Sequence, residues 1–412
     1  MLKQNSAINL FISVLIFSFV VFGCQRPNKD PEKALKKVKS EIVVGANQTE
    51  KYLELIKGKN IAIVANNTSV IFKKGDTNSN YLHLVDSLRS LNINVTKIFS
   101  PEHGYKGVVD GGDEITDSRD KETKIQVISL YGKTVKPSHS NMENVDMVIF
   151  DIQDVGARFY TYLSTLHYVM EICAELDIPI IVLDRPNPNG HYIDGPVMQE
   201  DSKSYVGLHP VPIIYGMTIG EYAKMILGEK WLKDEVQCDL TVVPLKNYTY
   251  NSTYSLPLRP SPNLPNDKSI NLYASLCLFE ETNVNCGRGT EMQFQIFGSP
   301  YLPRSTYNYT FTPQPNFGAK TPLYMDIECF GLDLSETERL NSLNFSWLID
   351  AYNSTSDKDN FFDEKFYELA GTRELRKQIE QGLTFDEIKM TWQKDLSAFK
   401  KIREKYLMYQ SE

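Results

Sequence analysis

Between positions 60 and 245 the chain keeps repeating one pattern: a short, nearly unbroken aliphatic run, a polar stretch, then an amphipathic segment. Asn60–Val64 (NIAIV), Ile93–Phe99 (INVTKIF), Lys124–Leu130 (KIQVISL) and Val145–Asp151 (VDMVIFD) read as strands, as do Ile178–Leu183 (IPIIVL) and a stretch near Leu240–Leu245. Tyr81–Leu91, Thr161–Leu176 and Thr218–Ile226 read as helices. In the second of these, Leu163, Leu166, Val169, Met170 and Cys173 recur at helical spacing. A strand that is apolar on both faces is buried most simply in a parallel sheet with helices above and below it. The expected fold class is therefore α/β, a Rossmann-like, mostly parallel sheet covered by helices on both faces.

After Tyr254 the texture changes to Pro-rich loops (Leu256–Pro265), irregular stretches and a few late helices. One of these is expected over Trp392–Tyr409, behind a Thr384–Glu387 pair at capping-box spacing. Residues 259–412 are read as a smaller α+β C-terminal domain, and residues 48–258 as the Rossmann-like domain. The first residues form a different kind of segment. Lys3 precedes Ile8–Phe22, an apolar run of 15 residues, which is short for a membrane span of about 20 and fits the core of a secretory signal. Gly23-Cys24 then resembles a lipobox. Residues 1–23 are read as a lipoprotein signal peptide, Cys24 as the lipidated residue, and 24–47 as a charged tether. An exported bacterial lipoprotein, membrane-anchored and periplasmic or at the cell surface, is the expectation.

Composition narrows the function classes. The 412 residues are 23% charged and 42% hydrophobic, ordinary for a globular chain, with 52 acids against 44 bases and no basic stripe. Nucleic-acid binding needs clustered Lys and Arg to neutralise phosphates, so no such partner is expected. The cysteines after Cys24 (Cys173, Cys238, Cys277, Cys286 and Cys329) are odd in number and form no C-x-x-C pair, so neither a disulfide framework nor a zinc ribbon is indicated.

The chemistry concentrates where strands end. Ile93–Phe99 runs into Ser100-Pro101-Glu102-His103-Gly104. Val145–Asp151 runs into Ile152–Tyr160, and Ile178–Leu183 into Asp184-Arg185-Pro186-Asn187-Pro188-Asn189-Gly190. In a parallel sheet all carboxyl ends point one way, and open α/β sheets build their ligand crevice along that edge. The edge should gather Glu102, His103, Asp151, Asp154, Arg158, Asp184 and Arg185, with Tyr160 and Tyr162 nearby. Carboxylates beside arginines in a crevice suit acid/base work, although Asp151 and Asp184, at the last strand positions, equally suit a structural role. The second half adds Ser261–Pro265 and Phe279–Thr290. There a Gly-Arg-Gly stretch can bring the forked guanidinium of Arg288 close to an anion.

Rival readings fail on residues. The turn after the first strand reads Val64-Ala65-Asn66-Asn67-Thr68, without the dinucleotide fingerprint G-x-G-x-x-G, and no P-loop, G-x-S-x-G elbow or H-E-x-x-H is present. His167 sits in mid-helix and is read as a packing residue. No ligand spacing supports a metal at His103 with Asp151 or Asp154. No cofactor is expected.

Taken together, Pro101–Gly104, Ser129–Gly132, Asp151–Tyr162 (DIQDVGARFYTY), Leu183–Gly190 (LDRPNPNG), Gly216–Glu221, Ser261–Pro265 and Glu281–Thr290 resemble the NamZ-type exo-β-N-acetylmuramidases, a glycoside hydrolase family. The resemblance covers about residues 50–412 and is strongest from 60 to 300. It implies release of N-acetylmuramic acid from the non-reducing ends of peptidoglycan fragments. It also implies a C-terminal domain that is auxiliary, with the active site in a cleft between the two domains. Asn285-Cys286 stands where the family frequently has Ser-Glu, and Glu291–Phe294 where Thr-x-Pro-Phe is more usual.

Glycoside cleavage needs an acid to protonate the leaving oxygen, usually with a second carboxylate or the sugar's own acetamido group. Glu102 is expected as acid/base and Asp154 as the second carboxylate. Arg158 and Arg288 are candidates for the lactyl carboxylate. His103, Tyr160 and Tyr162 would contact the sugar, and Asp151, Asp184, Arg185, Asn187, Asn263, Glu281 and Asn283 complete the candidate substrate contacts. A cell-wall sugar-binding lipoprotein without catalysis is the alternative, opposed by the crowding of carboxylates around an anionic ligand. A metal-dependent hydrolase, which EDTA would silence, is a third reading.

Overall fold

All six aliphatic runs become neighbours in one sheet. The structure, a computed structural model, describes residues 41–73 and 80–410. The expected signal peptide, Cys24 and the tether up to residue 40 lie outside those residues. In chain order the first strands are β1 (Asn60–Ala65), β2 (Val70–Phe72), β3 (Tyr81–His83), β4 (Asn94–Ser100), β5 (Ser118–Arg119) and β6 (Gln126–Ser129). They are followed by β7 (Met147–Asp151), β8 (Ile180–Leu183) and β9 (Leu240–Val243). The main sheet has seven strands in the order β5-β6-β4-β1-β7-β8-β9. Every pairing in it is parallel except β5 with β6.

Alternation along each strand explains why both faces are covered. In β1, Ala62 and Val64 point into one apolar cluster together with Phe99, Val148, Phe150, Ile180 and Val182. Ile61, Ile63 and Ala65 point into the other, with Ile98, Ile149, Ile181 and Leu183. All these side chains are almost wholly buried, each contributing about 1.5–3 kcal/mol for a Val, Leu, Ile or Phe removed from water. The helices Tyr162–Glu175 and Ile219–Gly228 supply residues to the first cluster, and Leu84–Ser90 to the second.

The second half carries a separate three-stranded antiparallel sheet of β10 (Ile296–Ser299), β11 (Tyr309–Phe311) and β12 (Cys329–Asp333), in the order β10-β12-β11. Helices follow it, and its core residues Phe279, Phe294, Phe297 and Phe345 belong to the same apolar cluster as the first face of the main sheet. The described residues form one compact unit.

Three segments differ from the sequence reading. Tyr81–Leu91 is not a single helix: Tyr81–His83 pairs with Val70–Phe72, and the helix starts at Leu84, where the His83 ring accepts from Val85 N at 3.3 Å. The Thr384–Glu387 box caps its own helix, Phe385–Thr391. Trp392 then turns its indole N–H toward Asp194, and a second helix spans Gln393–Glu404. Residues 43–47, read as the end of a tether, are part of the folded body. Val43 and Lys246 exchange backbone hydrogen bonds of 3.0 Å, and Val44 and Ala46 are buried.

Candidate functional site

Strand register puts Ala65 beside Asp151 and Ser100 beside Ser129, so the carboxyl ends of β1, β4, β6 and β7 line up on one edge. A cavity of about 120 Å³ opens there. The loop after β4 supplies Glu102, His103 and Gly111, the loop after β6 Tyr131, and the loop after β7 Phe159, Tyr160 and Thr161. The second half closes it with Ser261, Asn263, Tyr273, Cys277, Glu280, Arg288 and Phe294.

Glu102 is held by groups from three loops. Thr161 Oγ1 donates to its Oε2 at 2.6 Å and Gly112 N to its Oε1 at 3.2 Å, and the Tyr131 hydroxyl is its third partner. Burial first, and then the Glu102 charge, push the Tyr131 hydroxyl pKa up, so it stays protonated. Hydroxyls both donate and accept, so Thr161 and Tyr131 can serve Glu102 in either protonation state. His103 has a positive φ of 67° and precedes Gly104 at 78°. Its Nδ1 lies 2.9 Å from Val109 O. A carbonyl only accepts, so Nδ1 carries the proton. Burial lowers the His103 pKa against the opposing pull of Glu102, which keeps the ring neutral with Nε2 as its free acceptor.

Across the cavity, Arg288 Nη2 pairs with Glu280 Oε1. The Cys277 thiol lies 3.7 Å from Glu280 Oε2 and the Cys286 thiol 3.9 Å from Oε1. Arg288 also lies over the Phe294 ring, 5.8 Å from its centroid. The Gly-Arg-Gly turn needs its glycines: φ is 83° and 80°, and a Cβ would come within 2.5 Å of Met292 O at Gly287 and 2.6 Å of Pro322 at Gly289. Opposite sides of the cavity meet at Gly111. A methyl group there would lie 3.5 Å from Arg288 Nη1, 3.6 Å from Glu102 Oε1 and 3.6 Å from His103 Cε1.

Of the candidates from sequence, Glu102, His103, Tyr160, Asn263 and Arg288 line this cavity. Tyr160 does so with its ring, since its hydroxyl donates to Pro260 O at 2.7 Å. Tyr162 lies beneath, wholly buried, with its hydroxyl on Pro260 O at 3.1 Å. The others are elsewhere, each for a visible reason. Arg185 clamps Asp151 at 2.6 and 2.9 Å in a buried pair. Asp184 accepts from Thr218 Oγ1 at 2.7 Å, Gly220 N at 2.8 Å and Tyr409, and burial raises its pKa to about 7. Asn187 Nδ2 holds Met217 O at 2.8 Å, and Asn283 Nδ2 holds Asp357 O at 3.2 Å.

Arg158 and Asp154 are the corrections that matter most. The Arg158 guanidinium is buried and donates to Pro196 O at 2.9 Å, Val211 O at 3.0 Å and Leu369 O at 2.8 Å, so it faces the core and not the cavity. The Asp154 carboxyl is buried as well, accepting from Gly156 N at 2.7 Å and from Tyr215, and burial raises its pKa to about 6. Glu281 points at Asp363 instead of the cavity, and burial with that neighbouring charge lifts its pKa to about 7. Thr161, Tyr131 and Glu280 line the cavity without having been among the candidates, and for Glu280 a local signal exists. Cys277–Glu281 is a 3₁₀ turn, in which positions three apart share a face. With Cys277 facing in, Glu280 follows it and Glu281 does not. Among the described residues, no group of three or more His, Cys, Asp or Glu side chains could hold a metal ion.

Two family models match in succession: the N-terminal domain of the exo-β-N-acetylmuramidase NamZ over residues 61–268, and its C-terminal domain over residues 271–409. The peptidoglycan β-N-acetylmuramidase NamZ of Bacillus subtilis (strain 168) is 36% identical over 378 residues, covering 87% of this chain and 89% of that one. A crystal structure of a DUF1343 family protein from Bacteroides fragilis superposes with a TM-score of 0.82 at 45% identity, over 90% of this chain and 100% of that one. A second DUF1343 structure from the same organism gives 0.76 at 26% identity, over 90% and 99%.

Proposed function

The chain belongs to the NamZ family of exo-β-N-acetylmuramidases and is a glycoside hydrolase; from that premise we propose that it removes single N-acetylmuramic acid units from the non-reducing ends of peptidoglycan fragments, with Glu102 as acid/base. One observation carries the assignment. Glu102 is held by donors from three loops at the rim where Arg288 and Glu280 stand opposite it. Protonating the leaving oxygen and then deprotonating water requires a carboxyl that its surroundings accept in both states. The Thr161 and Tyr131 hydroxyls meet that requirement.

Glu280 takes the place expected of Asp154 as the second carboxylate. With Arg288 Nη2 on Glu280, Nη1 is the group nearest Gly111 on that side. It is our candidate for reading the lactyl carboxylate, the feature that separates muramic acid from glucosamine. Neutral His103 accepts a sugar hydroxyl through Nε2. An exported form anchored through Cys24 is part of the same proposal, resting on the apolar run Ile8–Phe22 and Gly23-Cys24. A lipid mass on the exported protein would support it, and an unmodified Cys24 would remove it.

The test uses a muramic-acid–glucosamine disaccharide and measures the monosaccharides released. Glu102→Gln should cut turnover by about 10²–10⁴-fold, the range for losing a positioned acid/base, with the Tm unchanged. Turnover at the wild-type rate would remove Glu102 from the mechanism. A wild-type protein that binds the disaccharide and releases nothing would be a sugar-binding protein instead.

A further inference from the structure

On the muramidase reading the cavity takes one terminal sugar and leaves the rest of the saccharide outside it, and a turn the chemistry above does not use bridges two of its lining segments. Residues 316–320 come from the second half. Asn316 and Ala319 exchange backbone hydrogen bonds of 3.0 and 3.2 Å, which closes the turn. One end is pinned to Asn263, a cavity-lining residue whose Nδ2 donates to Gly318 O at 2.7 Å. The fit is close: Gly318 has φ +100°, and a Cβ there would lie 2.8 Å from Pro262 and 3.0 Å from Asn263 Oδ1. The other end is pinned to the loop of Glu102. Lys320 N donates to Asp110 Oδ2 and Lys320 Nζ to Asp113 Oδ2, both at 2.8 Å, on either side of the lining residue Gly111.

The residue this doubly anchored turn presents is Phe317, 50% exposed. Val108, 56% exposed, lies in the same loop as Asp110, two positions before the carboxylate that anchors Lys320. A turn anchored at both ends that holds a large aromatic side chain in water next to cavity-lining residues offers a fixed, flat apolar surface to whatever part of a ligand extends past them.

We propose that Phe317 is the platform for the leaving sugar, the N-acetylglucosamine unit on the far side of the scissile bond. A β-linked pyranose of this type offers a flat face of C–H groups with its hydroxyls at the edge. That face covers an aromatic ring while the hydroxyls stay in water. The inference rests on the muramidase reading given above and adds a second subsite to it, formed by residues 316–320.

The experiment compares two substrates with the full-chain protein: the muramic-acid–glucosamine disaccharide, and the methyl β-glycoside of N-acetylmuramic acid, which has no ring beyond the scissile bond. Phe317→Ala should raise KM for the disaccharide about 3- to 10-fold, the effect of losing one aromatic contact, and leave kcat/KM for the methyl glycoside unchanged. Phe317→Trp should restore the disaccharide KM. Equal losses on both substrates, or no change on the disaccharide, would overturn the platform. Failure of the wild-type protein to cleave the disaccharide would overturn the muramidase reading itself, and the platform with it.

Discussion

Carboxylates in this chain separate by their surroundings and not by their neighbours in sequence. Glu102 meets hydroxyls and a backbone N–H, Asp151 meets a guanidinium, and Glu280 meets a guanidinium and two thiols. Glu281, one position on from Glu280, is set against Asp363, and burial plus that charge raise its pKa to about 7. A carboxyl whose folded pKa lies above its unfolded value binds more protons when folded. Its contribution to stability is full at low pH and is lost as pH rises from about 4.5 to about 7. Glu281→Gln removes that contribution. Between pH 5 and pH 8 the Tm of the variant should therefore fall less, or rise more, than that of the wild type. Asp184 and Asp154, with pKa values raised to about 7 and about 6, act with the same sign as Glu281, and buried histidines such as His167 and His209, whose pKa values are lowered, with the opposite one, but equally in both proteins, so the difference isolates Glu281. Equal changes would mean that Glu281 is ionised throughout. The place of Glu102 in the cavity was legible from sequence because a carboxylate between Pro101 and Gly104 at a strand end has little packing reason to be there. Arg158 was not, because what turns it inward is a set of carbonyls that includes Leu369 O, 211 positions away.

Elements formed where local pattern and long-range pairing agreed. The aliphatic strands could be read because an unbroken apolar run buried on both faces leaves few alternatives. Tyr81–His83 could not, since Tyr and Leu fit a helix or a strand, and only pairing with Val70–Phe72 decides between them. Helix starts are marked by capping boxes, and two of them isolate what a cap contributes. Thr384 and Glu387 form an exposed box, in which Thr384 Oγ1 accepts from Glu387 N at 3.3 Å and donates to the solvated Glu387 Oε2 at 2.7 Å. Thr218 and Glu221 form the same box in the core, but there the Thr218 hydroxyl donates to the buried Asp184 Oδ2 at 2.7 Å, a carboxyl outside the box. Thr384→Ala should cost about 1 kcal/mol, the usual cost of losing a cap. Thr218→Ala should cost that much and about 1–3 kcal/mol more, because a buried carboxyl loses a donor, and Thr218→Ser should recover most of it. Denaturant unfolding would read the difference. Equal costs for the two alanine variants would show that the Asp184 bond contributes nothing beyond the cap.

At the scale of the molecule, the pocket depends on two stretches of chain that share no strand but are laced together. Arg158 from the first holds Leu369 O of the second, and Lys320 of the second holds Asp110 and Asp113 of the first. The chain's last described residues then return to the main sheet. Arg403 Nε donates to Gly216 O at 3.0 Å, Met408 N to Glu221 Oε1 at 2.6 Å and Tyr409 OH to Asp184 Oδ2 at 2.5 Å, while Leu245 N donates to Tyr409 OH at 2.9 Å. The aromatic and aliphatic residues of both stretches also share one apolar cluster. Neither stretch can unfold without exposing that cluster and stranding these buried groups. Residues 41–410 should therefore melt in one transition, with calorimetric and van't Hoff enthalpies equal. Tyr409→Phe removes a hydroxyl that both donates and accepts, at a cost of about 1–3 kcal/mol, and should lower that single Tm while leaving one peak. Two peaks, with the substitution moving only one of them, would show that the stretches fold separately and that the pocket between them is assembled by docking.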